Sequence, residues 1–260
     1  MQEKDLQTLE FFKILERLAH YTSFEGGREL ALSLRPSPEE REVELRLRET
    51  AEAISLLKEK ANISLIGAME IRPLLEKASK FQILLPQELL AIKSTILAAS
   101  RLRRALARYA EKAPMLSAKA RGIEDYTWLA REIGQAINDQ GDVLDDASPE
   151  LKRLRQELRQ TRDNLLNRLQ EILTSPALAH FIQEPIITER HGRYVIPVKA
   201  QFKSRIPGLV HDVSASGVTV FIEPLEVVEL GNQLRELQIM EEEEIRRILA
   251  RFTRIVAEEE

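Results

Sequence analysis

Cysteine is absent from this chain of 260 residues, and aromatic side chains make up only 5% of it. The lack of cysteine excludes disulfide bonds, iron–sulfur clusters and zinc sites built from thiolates. No run of 18 uninterrupted apolar residues occurs either, so we expect no membrane-spanning helix. Residues 1–9 are polar and acidic, unlike a secretion signal. A soluble cytoplasmic protein is therefore expected.

The sequence also lacks the short motifs of common enzyme classes. It contains no glycine-rich phosphate loop, no dinucleotide-binding fingerprint and no HExxH zinc motif. The four histidines show no metal-ligand spacing. A catalytic triad of His211, Asp212 and Ser214 is disfavoured, because triad members usually converge from distant segments. We therefore expect no catalytic residue, cofactor or metal in this chain.

Charge, in contrast, is abundant: 31% of the residues are charged and 43% are hydrophobic. Such a hydrophobic fraction supports a core, and the many Leu, Glu, Arg and Ala residues favour long helices. The 38 basic and 42 acidic residues leave a formal net charge of −4. This balance argues against a uniformly basic nucleic-acid binder, but it is compatible with a local basic patch.

Residues 1–147 are predicted to form a helical core domain. Apolar residues recur there at helical spacing. Pro73, Pro86 and Pro114 mark breaks between successive helices.

A long outgoing helix is predicted over residues 148–176. Ser148-Pro149-Glu150 opens it with a capping hydroxyl, a first-turn proline and an acid. Apolar residues then follow at heptad spacing, with Leu154 and Thr161 at the alternate seam positions. The residues spaced by seven are Leu151, Leu158, Leu165 and Ile172.

Residues 177–224 change in character and predict a small β module. Short β-branched segments alternate with turn sequences such as His191-Gly192 and Ser214-Ala215-Ser216-Gly217, the pattern of a four-stranded antiparallel sheet. A returning helix is predicted over residues 225–260. The expected fold class is thus mainly α with a small inserted antiparallel β-sheet.

The two long helices are expected to pack as an antiparallel coiled-coil arm, because they leave and re-enter the β module side by side. In the register this implies, Arg159 and Arg162 face Glu241 and Glu244, a pairing that fixes alignment more than it stabilises. The alternative is that they are two helices of one compact bundle.

Basic residues crowd two connections of the β module and form the candidate site. Lys and Arg side chains on loops at the tip of an arm suit non-specific contact with phosphates. The alternative is a solvated loop, since nearby acids nearly offset the charge. The candidate nucleic-acid-binding residues are Arg190, His191, Arg193, Lys199, Lys203 and Arg205.

A helical domain, a long helix, an inserted β module and a returning helix form the layout of the core, lever and clamp of MutS-type proteins. The residues resemble those of the MutS-II proteins, the second bacterial MutS subfamily, over essentially the whole chain. The segment Gly192-Arg193-Tyr194-Val195-Ile196-Pro197-Val198-Lys199 is the most specific. The other matching segments include Thr8-Leu9-Glu10-Phe11, Gly27-Arg28-Glu29-Leu30-Ala31, Ile71-Arg72-Pro73-Leu74-Leu75, Gly208-Leu209-Val210-His211-Asp212 and Phe221-Ile222-Glu223-Pro224.

The resemblance implies a core at 1–147, lever helices at 148–176 and 225–260, and a clamp at 177–224 that engages nucleic acid. It implies a longer parent that resembles an ATP-dependent DNA-binding endonuclease, forms a homodimer and suppresses recombination. ATP and Mg²⁺ would be bound there by an ATPase domain that this chain lacks, so the returning helix is expected to be truncated. The alternative partner is the ribosome, because some family members split collided ribosomes.

Two positions depart from the family pattern. Phe81-Gln82 stands where a glycine-containing turn is expected, and Val213 stands where glutamine is common. Neither position belongs to the basic candidate site.

Overall fold

The computed structural model describes residues 3–59 and 61–259. It is mainly helical with a small four-stranded antiparallel sheet, which confirms the predicted fold class. The chain divides into two compact units. Unit 1 contains the residues up to Leu144 and those from Leu249 onward, and unit 2 contains Asp145–Ile248.

Unit 1 is built from helices whose starts are set partly by proline. Pro73, Pro86 and Pro114 lie in the first turns of three of them, where the fixed φ suits a helix and the missing N–H has no intrahelical partner to lose. The predicted breaks at these prolines are therefore helix starts. The helices are α1 (Glu3–Thr8), α2 (Phe11–Ala19), α3 (Glu25–Ser33), α4 (Glu40–Lys58), α5 (Arg72–Ser79), α6 (Pro86–Ala107), α7 (Pro114–Arg121) and α8 (Thr127–Ala136).

The long helix α6 supplies much of the core of unit 1. Its residues Leu89, Ile92 and Ala98 are buried, and both α7 and α8 pack against it. The end of the last helix, α10 (Leu225–Glu258), also belongs to this unit. Helix α10 therefore contributes residues to both units.

The turn after α5 has a strained backbone. Phe81 has a φ of 58°, in the left-handed region that glycine adopts without a steric cost. This is one of the two positions where the family pattern differs, and the structure shows why a glycine suits it. The Phe81 side chain is 88% exposed, so no burial of the ring offsets the strain.

Unit 2 contains a long helix, the sheet and the first part of α10. Ser148 Oγ accepts a hydrogen bond from the N–H of Leu151 at 3.0 Å, so the predicted cap is confirmed. The elements after this cap are α9 (Pro149–Thr174), β1 (Thr188–Arg190), β2 (Arg193–Lys199), a 3₁₀ segment (Ala200–Arg205), β3 (Gly208–Val213), β4 (Thr219–Pro224) and α10.

The strands form an antiparallel sheet in the order β1-β2-β4-β3. Ile222 of β4 pairs with Ile196 of β2 and with Val210 of β3, which places β4 in the interior. The end of α9 packs on this sheet, because Leu169 and Ile172 share a buried cluster with Ile196 and Ile222. The sheet and the helix pair thus share one core.

Candidate nucleic-acid interface

The long helices α9 and α10 run antiparallel within unit 2. Ser148 Oγ donates to Glu244 Oε1 at 2.6 Å, and Arg155 Nε donates to Glu241 Oε1 at 2.6 Å. Partner numbers rise along one helix and fall along the other, which is the antiparallel arrangement. We call these paired helices the lever, as α9 together with the unit 2 part of α10.

The contacts correct the lever register by about one helical turn. Glu241 pairs with Arg155, which precedes the predicted partner Arg159 by about one turn. The reason is an asymmetry at the sheet: α10 follows β4 directly, whereas a long connection separates α9 from β1. The two helices therefore do not enter and leave the module at the same level.

Each residue of the predicted pairing has another partner. Arg159 lies 3.4 Å from Asp145, and Arg162 Nε donates to the Tyr194 hydroxyl at 2.9 Å. Glu244 is buried and is held by Arg247 at 2.7 Å. The hydrogen bonds from Arg247 hold the pKa of Glu244 below its ordinary value, against the opposing effect of burial.

A double-mutant cycle distinguishes the observed register from the predicted one. We expect Arg155→Ala and Glu241→Ala to show a coupling of about 1 kcal/mol in the free energy of unfolding, because the pair is only partly exposed. Arg159→Ala with Glu241→Ala is the comparison cycle and should show a smaller coupling, because Arg159 pairs with Asp145. Urea unfolding of the three single and two double variants measures both couplings, and equal values would contradict the observed register.

The turn at His191-Gly192, the first of the two basic connections, lies against the lever helices. It does not lie at the end of the sheet that is far from them. His191 and Gly192 both have positive φ, at 52° and 74°, as a two-residue hairpin turn requires. Gly192 of this turn and Tyr194 line a cavity of about 240 Å³ whose other walls include Leu158 and Leu234 of the lever helices. The prediction that this turn sits at the tip of an arm is therefore corrected.

Arg193 and Glu223 form the centre of a buried polar network. Only 2% of the Glu223 side chain is exposed, and its carboxylate lies 3.2 Å from Arg193 Nη1 and 2.7 Å from His211 Nε2. Arg193 Nη2 also donates to Asn232 Oδ1 of α10 at 2.8 Å. The network therefore ties strands β2, β3 and β4 to the returning helix.

Gly231 allows this network to sit against α10. A Cβ at this position would lie 2.6 Å from Glu223 Oε1 and 2.8 Å from Arg193 Nη1. These distances are too short for ordinary contact, so a side chain at 231 would displace the ion pair. Arg193 thus serves the internal structure of the unit.

Arg190 and Lys199 also have internal partners. The Arg190 guanidinium lies 4.3 Å from the centre of the Phe221 ring and 3.2 Å from Asp212, a cation–π contact combined with an ion pair. Lys199 Nζ donates to the carbonyl of His180 at 2.8 Å. Both side chains therefore already bond within the β module and help to hold the sheet in place.

Two of the candidate cations project into solvent near the other end of the sheet. Lys203 and Arg205 are exposed, and neither forms an ion pair with any residue that the structure describes. Phe202, in the same 3₁₀ segment, lies 5.3 Å from His180 and 5.2 Å from Phe181 between ring centres. We define Lys203, Arg205, Phe202 and His180 as the distal surface.

The six predicted site residues are thus separated into four settings, one of which is the exposed pair Lys203 and Arg205. Arg193 is bound to Glu223, Arg190 and Lys199 hold strands, and His191 is exposed in the turn beside the lever. Sequence reasoning missed His180, which joins the distal surface from the connection after α9. The only signal for it was its position next to Phe181, and this signal is weak.

Among residues 3–59 and 61–259, no group of three or more His, Cys, Asp or Glu side chains is placed to hold a metal ion. Within the same ranges, no helix combines the length and the apolar character that crossing a membrane requires.

An antiparallel helical lever that carries an inserted β module with exposed cations defines a lever-and-clamp type of protein. The chain is similar to curated proteins named Endonuclease MutS2. It is 42% identical over 259 residues to that of Symbiobacterium thermophilum, covering 100% of this chain and 32% of the relative. It is 39% identical over 258 residues to that of Pelotomaculum thermopropionicum, covering 99% and 33%.

The chain therefore belongs to the MutS family. It is also 40% identical over 261 residues to Endonuclease MutS2 of a Geobacillus species, covering 99% of this chain and 33% of the relative. The chain thus spans about a third of the length of these curated relatives. No family model matches it.

Proposed function

We propose that this chain is the core, lever and clamp part of a MutS2-type protein and that it engages the DNA phosphate backbone. The observation that carries the proposal is the pair of exposed cations Lys203 and Arg205, which lack ion-pair partners among the described residues. Contacts of this kind neutralise phosphates and release counterions without reading sequence. Binding is therefore expected to be weak and steeply dependent on salt.

The aromatic side chains of the distal surface support the same proposal. Phe202 lies in the same 3₁₀ segment as the two cations, and its ring centre lies 5.3 Å from that of His180. Mixed aromatic and cationic surfaces suit nucleic-acid strands. Arg190, Arg193 and Lys199 already bond to other groups of the protein, so the proposed interface is limited to the distal surface. His191 lies at the other end of the sheet, so any phosphate contact that it makes is separate from this surface.

The proposal also covers the longer parent protein. We propose that it is an ATP-dependent, homodimeric endonuclease that suppresses recombination. The name of the relatives, Endonuclease MutS2, supports the nuclease activity in this proposal. ATP and Mg²⁺ would bind residues other than those of the distal surface. The lever would then transmit the nucleotide state to the clamp.

Removing the two distal cations tests the proposal. We expect Lys203→Gln with Arg205→Gln to flatten the slope of log affinity against log salt by about 1.8, because two phosphate contacts are lost. Fluorescence anisotropy of a labelled DNA duplex between about 50 and 200 mM salt measures the slope.

The matched control is Arg17→Gln with Arg41→Gln, which removes two exposed charges from α2 and α4 of unit 1. This control should leave the slope unchanged. An unchanged slope in the Lys203 and Arg205 variant would contradict the distal assignment. Tighter binding to ribosomes than to duplex or four-way-junction DNA at one salt concentration would replace DNA by ribosomal RNA as the partner.

A further inference from the structure

A second basic surface lies in unit 1, on the solvent side of α6. Three arginines occupy one helical face at intervals of three and four residues: Arg101, Arg104 and Arg108. They line a cavity of about 280 Å³ with Asn62, Ser64 and Ala105. We define these three arginines with Asn62 and Ser64 as the α6 groove.

Among the residues that the structure describes, no carboxylate lines the α6 groove, so this lining is cationic. Other cavities of the chain differ in this respect: the one beside Tyr194 includes Glu189 and Glu241. Asp125, an acid outside this lining, forms an ion pair with Arg103 at 4.0 Å. Asp125 is also close enough to Arg104 to have its pKa lowered by that charge, after the larger effect of hydrogen bonds from Thr127.

The loop that forms the other wall of the groove is fixed to α6. Arg101 Nη2 donates to the carbonyl of Ile66 at 2.8 Å, and Ser94 Oγ donates to the carbonyl of Gly67 at 2.9 Å. The loop therefore holds Asn62 and Ser64 beside the arginines. Arg108 and Arg104 are exposed, and neither has a carboxylate bonded to it among the described residues.

From this geometry we infer that the α6 groove binds successive phosphates of a nucleic-acid backbone. Arg101 and Arg108 are separated by about 10 Å along the helix axis, the rise of about three phosphates on one strand of a duplex. A row of guanidinium groups with neutral hydrogen-bonding side chains fits phosphodiesters, which carry one charge each. The inference rests on the proposed function and adds a contact surface in the helical unit.

The test removes the two arginines that do not anchor the loop. We expect Arg104→Gln with Arg108→Gln to weaken binding of a labelled DNA duplex about tenfold at about 0.1 M salt and to flatten the salt slope by about 1.8. Arg104→Lys with Arg108→Lys keeps the charge and should restore the slope. The control Arg17→Gln with Arg41→Gln should bind like the parent sequence, and thermal melting by circular dichroism checks that each variant is folded.

The outcomes separate this inference from the proposed function. If the salt slope is flatter in the Lys203 and Arg205 variant but unchanged in the Arg104 and Arg108 variant, the inference about the α6 groove is wrong. The proposed contact at the distal surface is then kept. If the unaltered chain binds no nucleic acid, the proposed function fails and this inference fails with it. If inorganic phosphate displaces DNA more strongly than chloride does at equal ionic strength, the groove binds a single free anion. That result would overturn the inference of a nucleic-acid contact.

Discussion

Replacing Glu223 by alanine is expected to lower the free energy of unfolding by about 3–5 kcal/mol. Its carboxylate is buried and contacts both Arg193 and His211. Removing this carboxylate leaves the charge of Arg193 without its partner at a poorly hydrated position. The resulting loss of stability is larger than that from breaking an ordinary surface ion pair. Urea unfolding of the whole chain measures the change, and amide exchange in the β2–β4 pairing locates it.

Two variants control this experiment. Glu223→Gln keeps the shape and an acceptor for Arg193 but removes the charge, so we expect a loss of about 1.5–3 kcal/mol. Glu184→Ala removes an exposed glutamate of the same unit and should change stability by less than about 0.5 kcal/mol. A Glu223→Ala variant as stable as the Glu184→Ala variant would show that the network does not hold the sheet to α10.

The same network shows where sequence reasoning reached its limit. In the sequence, Glu223 counts only among the nearby acids that offset the basic residues in the alternative of a solvated loop. Its partners come from two other strands, Arg193 of β2 and His211 of β3, and Arg193 in turn donates to Asn232 on α10. Burial of a charge depends on such distant partners converging, and local patterning carries no information about that convergence.

Features that depend on local chemistry were predictable. The start of α9 follows from the capping hydroxyl of Ser148 next to a proline, and the turn at His191-Gly192 follows from the residues that tolerate positive φ. Heptad spacing also identified the buried seam, with Leu151 and Leu165 almost fully buried. Each of these signals spans a few residues or a fixed period.

The lever register and the position of the basic residues required the three-dimensional arrangement. A shift of one turn moves Glu241 from Arg159 to Arg155 while leaving the heptad pattern unchanged. Charge counting likewise grouped Arg193 with Lys203, although the first is bound to Glu223 and the second is exposed. Of the two basic connections that the sequence offered, the proposed interface therefore keeps only the second, with Lys203 and Arg205.

Phe252→Ala is expected to produce a second large loss, of about 3–5 kcal/mol. Phe252 is fully buried in the part of α10 that belongs to unit 1. Loss of the ring removes the transfer free energy of a large apolar side chain and leaves a cavity that the surrounding helices fill only in part. The adjacent Thr253 hydroxyl accepts a hydrogen bond from the N–H of Leu84 at 2.9 Å, so this turn of α10 is tied to the segment before α6, which limits collapse.

Urea unfolding with amide exchange in α6 measures the Phe252 effect. Phe252→Leu keeps most of the apolar volume and should cost less than about 1.5 kcal/mol, and Arg254→Ala on an exposed part of the same turn should stay within about 0.5 kcal/mol. The loss should lower protection in α6, because the end of α10 is part of the same compact unit. A Phe252→Ala variant as stable as Phe252→Leu would mean that this end of α10 is not anchored by its core face, and the lever would then lack the fixed base that transmission to the clamp requires.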